Sequence, residues 1–139
     1  MAESQKKGKT ILIVDDEPDV VTYLETLLQD NGYDTISAAD GVAAMEETKA
    51  KRPDLVCLDI TMPKKSGVGF YRALKEDPNL STTPVVIVTA VTGYAGDPEG
   101  FKRFISTRKQ VPPPEGFIAK PIDRADFLDV IAKVLSAKQ

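Results

Sequence analysis

The sequence predicts a doubly wound α/β fold, in which a five-stranded parallel sheet lies between two layers of helices. Short apolar runs alternate along the 139 residues with amphipathic stretches, and this alternation is typical of repeated βα units. Because crossovers between parallel strands are right-handed, helices fall on both faces of the sheet and make a three-layer sandwich. The predicted strands are Ile11–Val14, a less apolar edge strand Tyr33–Ala39, Leu55–Leu58, Val85–Val88 and Phe117–Ala119.

Capping and breaking residues mark the first two helices. Glu17, Pro18 and Asp19 suit the first turn of a helix that ends at Asn31–Gly32. After a turn at Asp40–Gly41, the second helix is predicted over Val42 to Lys51. Its buried side is expected to consist of Val42, Met45 and Thr48.

Three further helices complete the alternation. The third is predicted over Val68 to Glu76, where Asp77–Pro78 stops it. A short amphipathic piece, Phe101 to Lys109, lies in a region rich in glycine and proline, which we expect to be the most mobile and variable part of the surface. The last helix begins near Asp123, and its helically spaced core stripe is Phe127, Val130, Ile131, Val134 and Leu135.

Length, charge and hydropathy exclude several classes of function. A chain of this length builds one domain, which we expect over residues 10–139, after a disordered tail at 1–9. A net charge of -3 argues against a nucleic-acid partner, which would require a basic surface. No run predicts a membrane span or a signal peptide, so we expect a cytoplasmic protein without a membrane partner.

The chain contains one cysteine and no histidine. Cys57 lies inside an apolar run, and we expect a buried, inert thiol in a reducing compartment. The lack of histidine excludes His-ligated metals and Ser–His or Cys–His nucleophile pairs. If the chemistry uses a phosphohistidine, another protein must supply it.

Chemically useful residues follow four of the predicted strands. Asp15 and Asp16 follow the first strand, and Asp59 follows the third. Thr89 ends the fourth strand and Lys120 ends the fifth. The carboxyl ends of parallel strands meet at one edge, where open α/β sheets bind ligands. Three carboxylates gathered at one edge repel one another strongly unless a divalent cation lies among them. Their oxygen atoms are ligands that suit Mg²⁺. The pattern therefore predicts a metal-dependent phosphorylation site.

Each of these residues has a role in phosphoryl transfer. Asp59 is the candidate nucleophile, because a carboxylate can attack phosphorus and give an aspartyl-phosphate. Asp15 and Asp16 would hold Mg²⁺, which lets one anion attack another. Lys120 can bind one phosphoryl oxygen, and Thr89 can donate a hydrogen bond to another. Taken singly, Asp15 or Asp16 is explained equally well as a helix cap, and Asp59, Thr89 or Lys120 is explained better as a loop residue or a strand terminator. The prediction therefore depends on their joint occurrence.

These motifs resemble the receiver domain of two-component response regulators, from Thr10 to Ala137. The resemblance implies a stand-alone CheY-like protein with strand order 2-1-3-4-5, phosphorylated by a sensor histidine kinase or a phosphotransfer protein. The matching pieces are the acidic pair Asp15–Asp16, the segment Asp59–Pro63 with Gly67 beyond it, Thr89–Ala90 and Lys120–Pro121.

The resemblance also implies how the phosphorylation site is built. Asp59 is the implied phosphoacceptor. Asp16 and Asp59 are implied to bind Mg²⁺ directly, while Asp15 acts through a water molecule and Thr61 offers its backbone carbonyl.

Thr61 and Val91 lie two residues beyond Asp59 and Thr89, at positions that influence attack by water in this family. Neither side chain carries an acid or amide that could orient the water, so we expect slow self-dephosphorylation.

The implied switch consists of a hydroxyl and an aromatic ring. Thr89 is the implied switch hydroxyl, and Phe117 occupies the position of the switch aromatic residue. Because Phe117 is not a tyrosine, it has no hydroxyl to offer to a partner. The stretch between Thr89 and Lys120 is longer than the family usually has, which enlarges residues 90–115. We therefore expect residues 90–117 to contact an unidentified downstream protein or to form a homodimer interface.

Two alternatives use the same residues differently. A Mg²⁺-dependent phosphohydrolase of the haloacid dehalogenase type carries a second aspartate two residues after its nucleophile, where this chain has Thr61. A receiver-like adaptor would bind partners without phosphorylation, although a scaffold gains nothing from three acids that repel one another. We expect a signalling protein that catalyses only its own phosphorylation and dephosphorylation, and not an enzyme acting on other substrates.

Overall fold

Five parallel strands form the centre of the fold. The structure is a computed structural model and describes residues 9–59, 66–90, 115–120 and 122–138. The strands are β1 (Thr10–Val14), β2 (Asp34–Ala38), β3 (Leu55–Leu58), β4 (Val85–Ala90) and β5 (Gly116–Lys120). They pair in the order β2-β1-β3-β4-β5, and every pairing is parallel. The predicted fold class, strand order and edge position of the second strand are confirmed.

Four helices accompany these strands in the described part of the chain. They are α1 (Pro18–Asp30), α2 (Gly41–Lys51), α3 (Ser66–Glu76) and α4 (Arg124–Lys138). None of them is long and apolar enough to cross a bilayer. The helix predicted over Phe101–Lys109, the rest of residues 91–114 and the tail at 1–8 lie outside the described residues.

Side chains of the sheet alternate between two hydrophobic layers. Leu12 and Val14 face the layer formed by α2 and α3, whereas Ile11 and Ile13 face the layer formed by α1 and α4, and all four are fully buried. The period of two along a strand sends successive side chains to opposite faces. The helix residues buried in these layers are Ala44, Phe70, Tyr71 and Leu74 on one face, and Leu24, Leu28, Phe127, Ile131 and Leu135 on the other.

A tight turn connects α1 to β2. The backbone N–H of Asn31 donates to Leu28 O at 3.0 Å, and that of Gly32 donates to Gln29 O at 3.1 Å. Gly32 has a φ of 91°, a left-handed conformation that glycine adopts without steric cost. The predicted end of the first helix at Asn31–Gly32 is therefore confirmed.

The buried side of α2 differs from the sequence-based prediction. Val42 was expected to face the core but is 73% exposed. Thr48 is fully buried, as predicted, and so is Ala44, which was not predicted. Ala44 and Thr48 are one helical turn apart, and their small side chains let α2 pack against the sheet. The Thr48 hydroxyl donates to Ala44 O at 2.7 Å, so its burial leaves no polar group unsatisfied. Met45 is only partly buried, against the same layer.

Candidate functional site

The ends of β1 and β3 place two aspartates side by side. Val14 pairs with Leu58 at the last register position of the two strands. One residue further on, the backbone N–H of Asp59 donates to Val14 O at 2.9 Å, and that of Asp15 donates to Ala38 O at 3.1 Å. These bonds continue the sheet ladder beyond the strands, so the backbones of both aspartates are fixed at its carboxyl edge.

The side chains at this edge form a group of three carboxylates. Asp15, Glu17 and Asp59 each offer one oxygen, and these oxygens all lie within 4.8 Å of one another. Asp15 and Asp59 are each 3% exposed, whereas Glu17 is exposed. At such separations in a partly desolvated site, negative charges repel strongly. The group fits a small divalent cation with oxygen ligands, for which Mg²⁺ is the usual choice.

Glu17 was not singled out from the sequence. Its backbone N–H donates to Asp15 Oδ1 at 2.9 Å, which turns the chain just before α1 begins at Pro18. This turn brings the third acid of the run Asp15–Asp16–Glu17 back toward the buried pair. The only feature of the sequence that pointed to Glu17 was the run of acidic residues at the start of the first helix. Such a run is explained equally well by the favourable interaction of negative charges with the positive end of the helix dipole.

Asp16, which the resemblance implies to be a direct metal ligand, is exposed and does not belong to this group. Thr61, the implied carbonyl ligand, lies outside the described residues. The roles predicted for Asp16 and Thr61 in metal binding therefore stay predictions. The structure brings Asp15 and Asp59 together, as the sequence predicted.

The other two predicted residues lie on β4 and β5. Thr89 pairs with Ala119, and Ala90 pairs with Lys120, in the parallel register of these strands. The backbones of Thr89 and Lys120 therefore reach the carboxyl end of the sheet on neighbouring strands. Because β4 also pairs with β3, the strand that leads to Asp59, they share its edge of the sheet.

Phe117, the predicted switch aromatic, lies on β5, the edge strand of the sheet next to β4. It pairs with Ile87 of β4, is half-buried, and packs against the core layer that contains α3. Its ring is therefore held by apolar contacts on the same face of the sheet as the helix that follows the Asp59 loop.

Cys57 takes no part in the site chemistry. The thiol is buried in the α1 and α4 layer, and burial raises its pKa above the ordinary value. A thiolate is therefore disfavoured, and the predicted inert, structural role is consistent with this position.

Comparison with known proteins agrees with the fold. Residues 11–132 match the response regulator receiver domain family. Protein Rrf1 of Nitratidesulfovibrio vulgaris is 32% identical over 126 residues, covering 91% of this chain and 82% of the relative. The polar-differentiation response regulator DivK of Brucella anthropi is 32% identical over 127 residues, covering 91% and 96% respectively.

A solved receiver-domain structure is also similar to this chain in fold and sequence. The crystal structure of the signal receiver domain of a signal transduction histidine kinase from Syntrophus aciditrophicus superposes with a TM-score of 0.78 and 30% sequence identity, covering 94% of this chain and 92% of that one. Together with the parallel sheet and the paired aspartates at its edge, these matches show that the chain belongs to the family of response regulator receiver domains.

Proposed function

We propose that this receiver domain accepts a phosphoryl group on Asp59 and signals through the conformational change that follows. The observation that carries the proposal is the position of Asp59, a buried carboxylate at the end of a central strand with an oxygen within 4.8 Å of one from Asp15. A cation recruited between these two buried acids would offset their mutual repulsion and leave Asp59 ionised for attack.

The phosphoryl donor is proposed to be a phosphohistidine of a sensor kinase or phosphotransfer protein, because this chain has no histidine of its own. An oxygen of the Asp59 carboxylate attacks phosphorus, and the bond between phosphorus and the imidazole nitrogen breaks. The electron pair of that bond remains on the imidazole nitrogen, which takes up a proton from solvent, and the products are an aspartyl-phosphate and a free histidine. We place the reaction in the cytoplasm, since a lone buried thiol suits a reducing compartment.

Asp15 and Asp59 are the residues proposed to hold the cation, and their oxygens fit Mg²⁺. When bound, Mg²⁺ would neutralise charge on the phosphoryl oxygens that approach the carboxylate. Two residues are candidates for the third carboxylate. The resemblance to the family implies Asp16, whereas proximity to Asp15 and Asp59 favours Glu17. The carbonyl of Thr61 is the further ligand that the resemblance implies.

The proposed switch depends on β4 and β5. Lys120 binds one phosphoryl oxygen, and the Thr89 hydroxyl donates a hydrogen bond to another. Phe117 changes its position when Thr89 moves, which alters the surface formed by residues 90–117. That surface is the proposed contact with the downstream target. Support for this arrangement comes from the register of β4 and β5, which carries Thr89 and Lys120 to the same edge.

Incubation with acetyl phosphate tests the proposal directly. Intact-mass spectrometry should detect one added phosphoryl group when Mg²⁺ is present and none when it is chelated. Asp59→Asn should abolish the addition. Asp34→Asn is the matched control, because Asp34 is an exposed aspartate on the edge strand β2.

Two outcomes would contradict the proposal. Failure of the wild-type protein to gain mass with Mg²⁺ would favour a phosphorylation-independent adaptor. Multiple turnover of a phosphate ester without accumulation of the aspartyl-phosphate would favour a phosphohydrolase.

A further inference from the structure

The register of β5 determines where the backbone of Lys120 reaches the edge of the sheet. Strand β5 pairs with β4, and no other strand of the described residues lies beside it. A shift of one residue would send every side chain of β5 to the opposite face, and a shift of two would move Lys120 by about 7 Å. A long connection such as residues 91–114 does not fix a register as a two-residue turn does. Contacts at the start of β5 must therefore fix it.

Glu115, directly before β5, binds both polar backbone groups of Val85 at the start of β4. Its backbone N–H donates to Val85 O at 2.9 Å, and its side-chain Oε1 accepts from the Val85 N–H at 2.7 Å. Val85 is fully buried, so either group would be costly to leave unpaired. A shift of β5 by one or two residues would carry the Glu115 carboxylate away from Val85. The carboxylate therefore favours the observed register.

Gly116, the first residue of β5, favours the same register for a steric reason. A Cβ built on Gly116 would lie 3.0 Å from Val130 Cγ1 of α4 and 3.5 Å from Val86 Cγ2 of β4. The position therefore suits a residue without a side chain. A shift of one residue would place Glu115 or Phe117 here, against Val130. Two neighbouring residues thus select one register by independent means.

The contact of Glu115 with Val85 is separable from its ion pair with Lys75. The buried ammonium of Lys75 contacts both carboxylate oxygens of Glu115, and Oε1 is the oxygen that also accepts from Val85. The Glu115 side chain is 40% exposed, so water can solvate its carboxylate when Lys75 is replaced. The ion pair and the contact with β4 can therefore be removed one at a time.

We propose that Glu115 is a positioning residue for the phosphorylation site, because it fixes the register in which β5 brings Lys120 to the edge of the sheet beside Thr89. This inference rests on the proposed phosphorylation of Asp59 and on the proposed role of Lys120. Glu115 lies at the other end of β5, about 16 Å from Lys120 along the strand. It therefore acts through the strand and not on the phosphoryl group.

The test compares phosphorylation by acetyl phosphate in variants that all carry Lys75→Met, so that none of them buries an ammonium without its countercharge. Lys75→Met alone, and Lys75→Met with Glu115→Gln, both keep an oxygen that accepts from the Val85 N–H. Their rates should agree within about twofold. Lys75→Met with Glu115→Ala lacks this oxygen and should be phosphorylated about tenfold more slowly. Circular dichroism confirms that each variant is folded at the assay temperature.

Two further readouts separate positioning from a general loss of structure. The dissociation constant of Mg²⁺ should be the same in all of these variants, because Asp15 and Asp59 follow β1 and β3 and not β5. When Lys120→Met is added, Glu115→Ala should cause no further slowing, because the side chain that it positions is then absent. A loss of structure would instead weaken Mg²⁺ binding and slow the reaction in both backgrounds.

Hydrogen exchange of the backbone amides of β5 tests the register without phosphorylation. These amides should exchange faster in the Glu115→Ala variant than in the Glu115→Gln variant, while those of β3 exchange equally in both. Equal phosphorylation rates in the two variants would overturn the positioning role, and so would equal exchange rates. If the wild-type protein gains no phosphoryl group, the proposed function fails, and the exchange rates alone then decide whether Glu115 fixes the register.

Discussion

Lys75 of α3 contacts both carboxylate oxygens of Glu115, at 3.3 Å each, just before β5 begins. Glu115 Oε1 also accepts a hydrogen bond from the backbone N–H of Val85 at 2.7 Å, and the Lys75 ammonium donates to Thr83 O at 3.1 Å. The Lys75 side chain is only 1% exposed, whereas that of Glu115 is 40% exposed. One ion pair therefore ties the end of α3 to the start of β4 and β5.

The two halves of this pair should contribute unequally to stability. Lys75→Met should lower the free energy of unfolding by about 2 kcal/mol, because Thr83 O loses a charged donor while water still solvates Glu115. Glu115→Gln should cost more, about 3 kcal/mol, because a buried ammonium would lose its countercharge. Urea unfolding measures both values.

An exposed pair on α2 gives the matched control for this comparison. Lys51 and Glu47 are also 3.3 Å apart, but their side chains are 55% and 35% exposed. Lys51→Met should change the free energy of unfolding by less than about 0.5 kcal/mol. Equal effects of Lys75→Met and Lys51→Met would mean that burial adds nothing to the Lys75–Glu115 pair.

The parts of the fold that the sequence predicted correctly are those that depend on strong hydrophobic patterns. Apolar runs such as Leu55–Leu58 are buried on both faces of the sheet, so their position in the centre follows from composition alone. The pairing of Asp15 with Asp59 follows because parallel strands end at a common edge. Neither inference requires side-chain detail.

The parts that were missed depend on small residues and on a local turn. Helix α2 has few large apolar side chains, so the sequence pattern placed Val42 on the buried side together with Thr48, whereas packing against the sheet selects Ala44 and Thr48. Glu17 joins the acidic group through a local turn before α1, in which its backbone N–H donates to Asp15 Oδ1. A linear pattern of residue types does not contain this information.

Substitutions on α2 should confirm which of its sides faces the sheet. Ala44→Leu should lower the free energy of unfolding by about 1 to 3 kcal/mol, because the added carbon atoms have no space in a filled core. Val42→Ala should change it by less than about 0.5 kcal/mol when the protein is monomeric, because Val42 is exposed. Urea unfolding at low protein concentration provides the comparison, and a large effect of Val42→Ala together with a negligible effect of Ala44→Leu would reverse the assignment.

Stability should fall at alkaline pH because buried groups resist ionisation, and Cys57, Tyr71 and Tyr33 all have a raised pKa. Burial raises the pKa of the Cys57 thiol above its ordinary value of 9.0. Burial, with a smaller effect of the Glu115 carboxylate, raises the pKa of Tyr71 above 10.0. In the unfolded chain these groups lose their protons near the ordinary values, so above pH 9 the unfolded state binds fewer protons than the folded state.

The free energy of unfolding should therefore be unaffected by these groups below pH 9. It should then fall by about 1.4 kcal/mol per pH unit for each group that is ionised only in the unfolded chain. Cys57→Ala should flatten the decline that begins near pH 9, and Tyr71→Phe should flatten the decline above pH 10. Urea unfolding between pH 7 and 11 measures the slopes, and unchanged slopes in both variants would show that other groups govern the alkaline limit.

Binding of Mg²⁺ should stabilise the folded protein through the acidic group. A ligand present at a hundred times its dissociation constant adds about 2.7 kcal/mol to the free energy of unfolding. Asp15→Asn and Asp59→Asn should abolish most of this gain, since these two buried carboxylates form the base of the site. Asp34→Asn, which changes an exposed carboxylate on β2, should leave it intact.

Titration of the protein with Mg²⁺ identifies the third carboxylate that binds the cation. Glu17 already has an oxygen within 4.8 Å of those of Asp15 and Asp59, whereas the exposed Asp16 lies outside this group. We therefore expect Glu17→Gln to weaken Mg²⁺ binding by about tenfold, as measured by isothermal titration calorimetry. An unchanged affinity in Glu17→Gln, together with a large loss in Asp16→Asn, would instead assign the position to Asp16, because the cation would then draw that side chain inward and leave Glu17 in solvent.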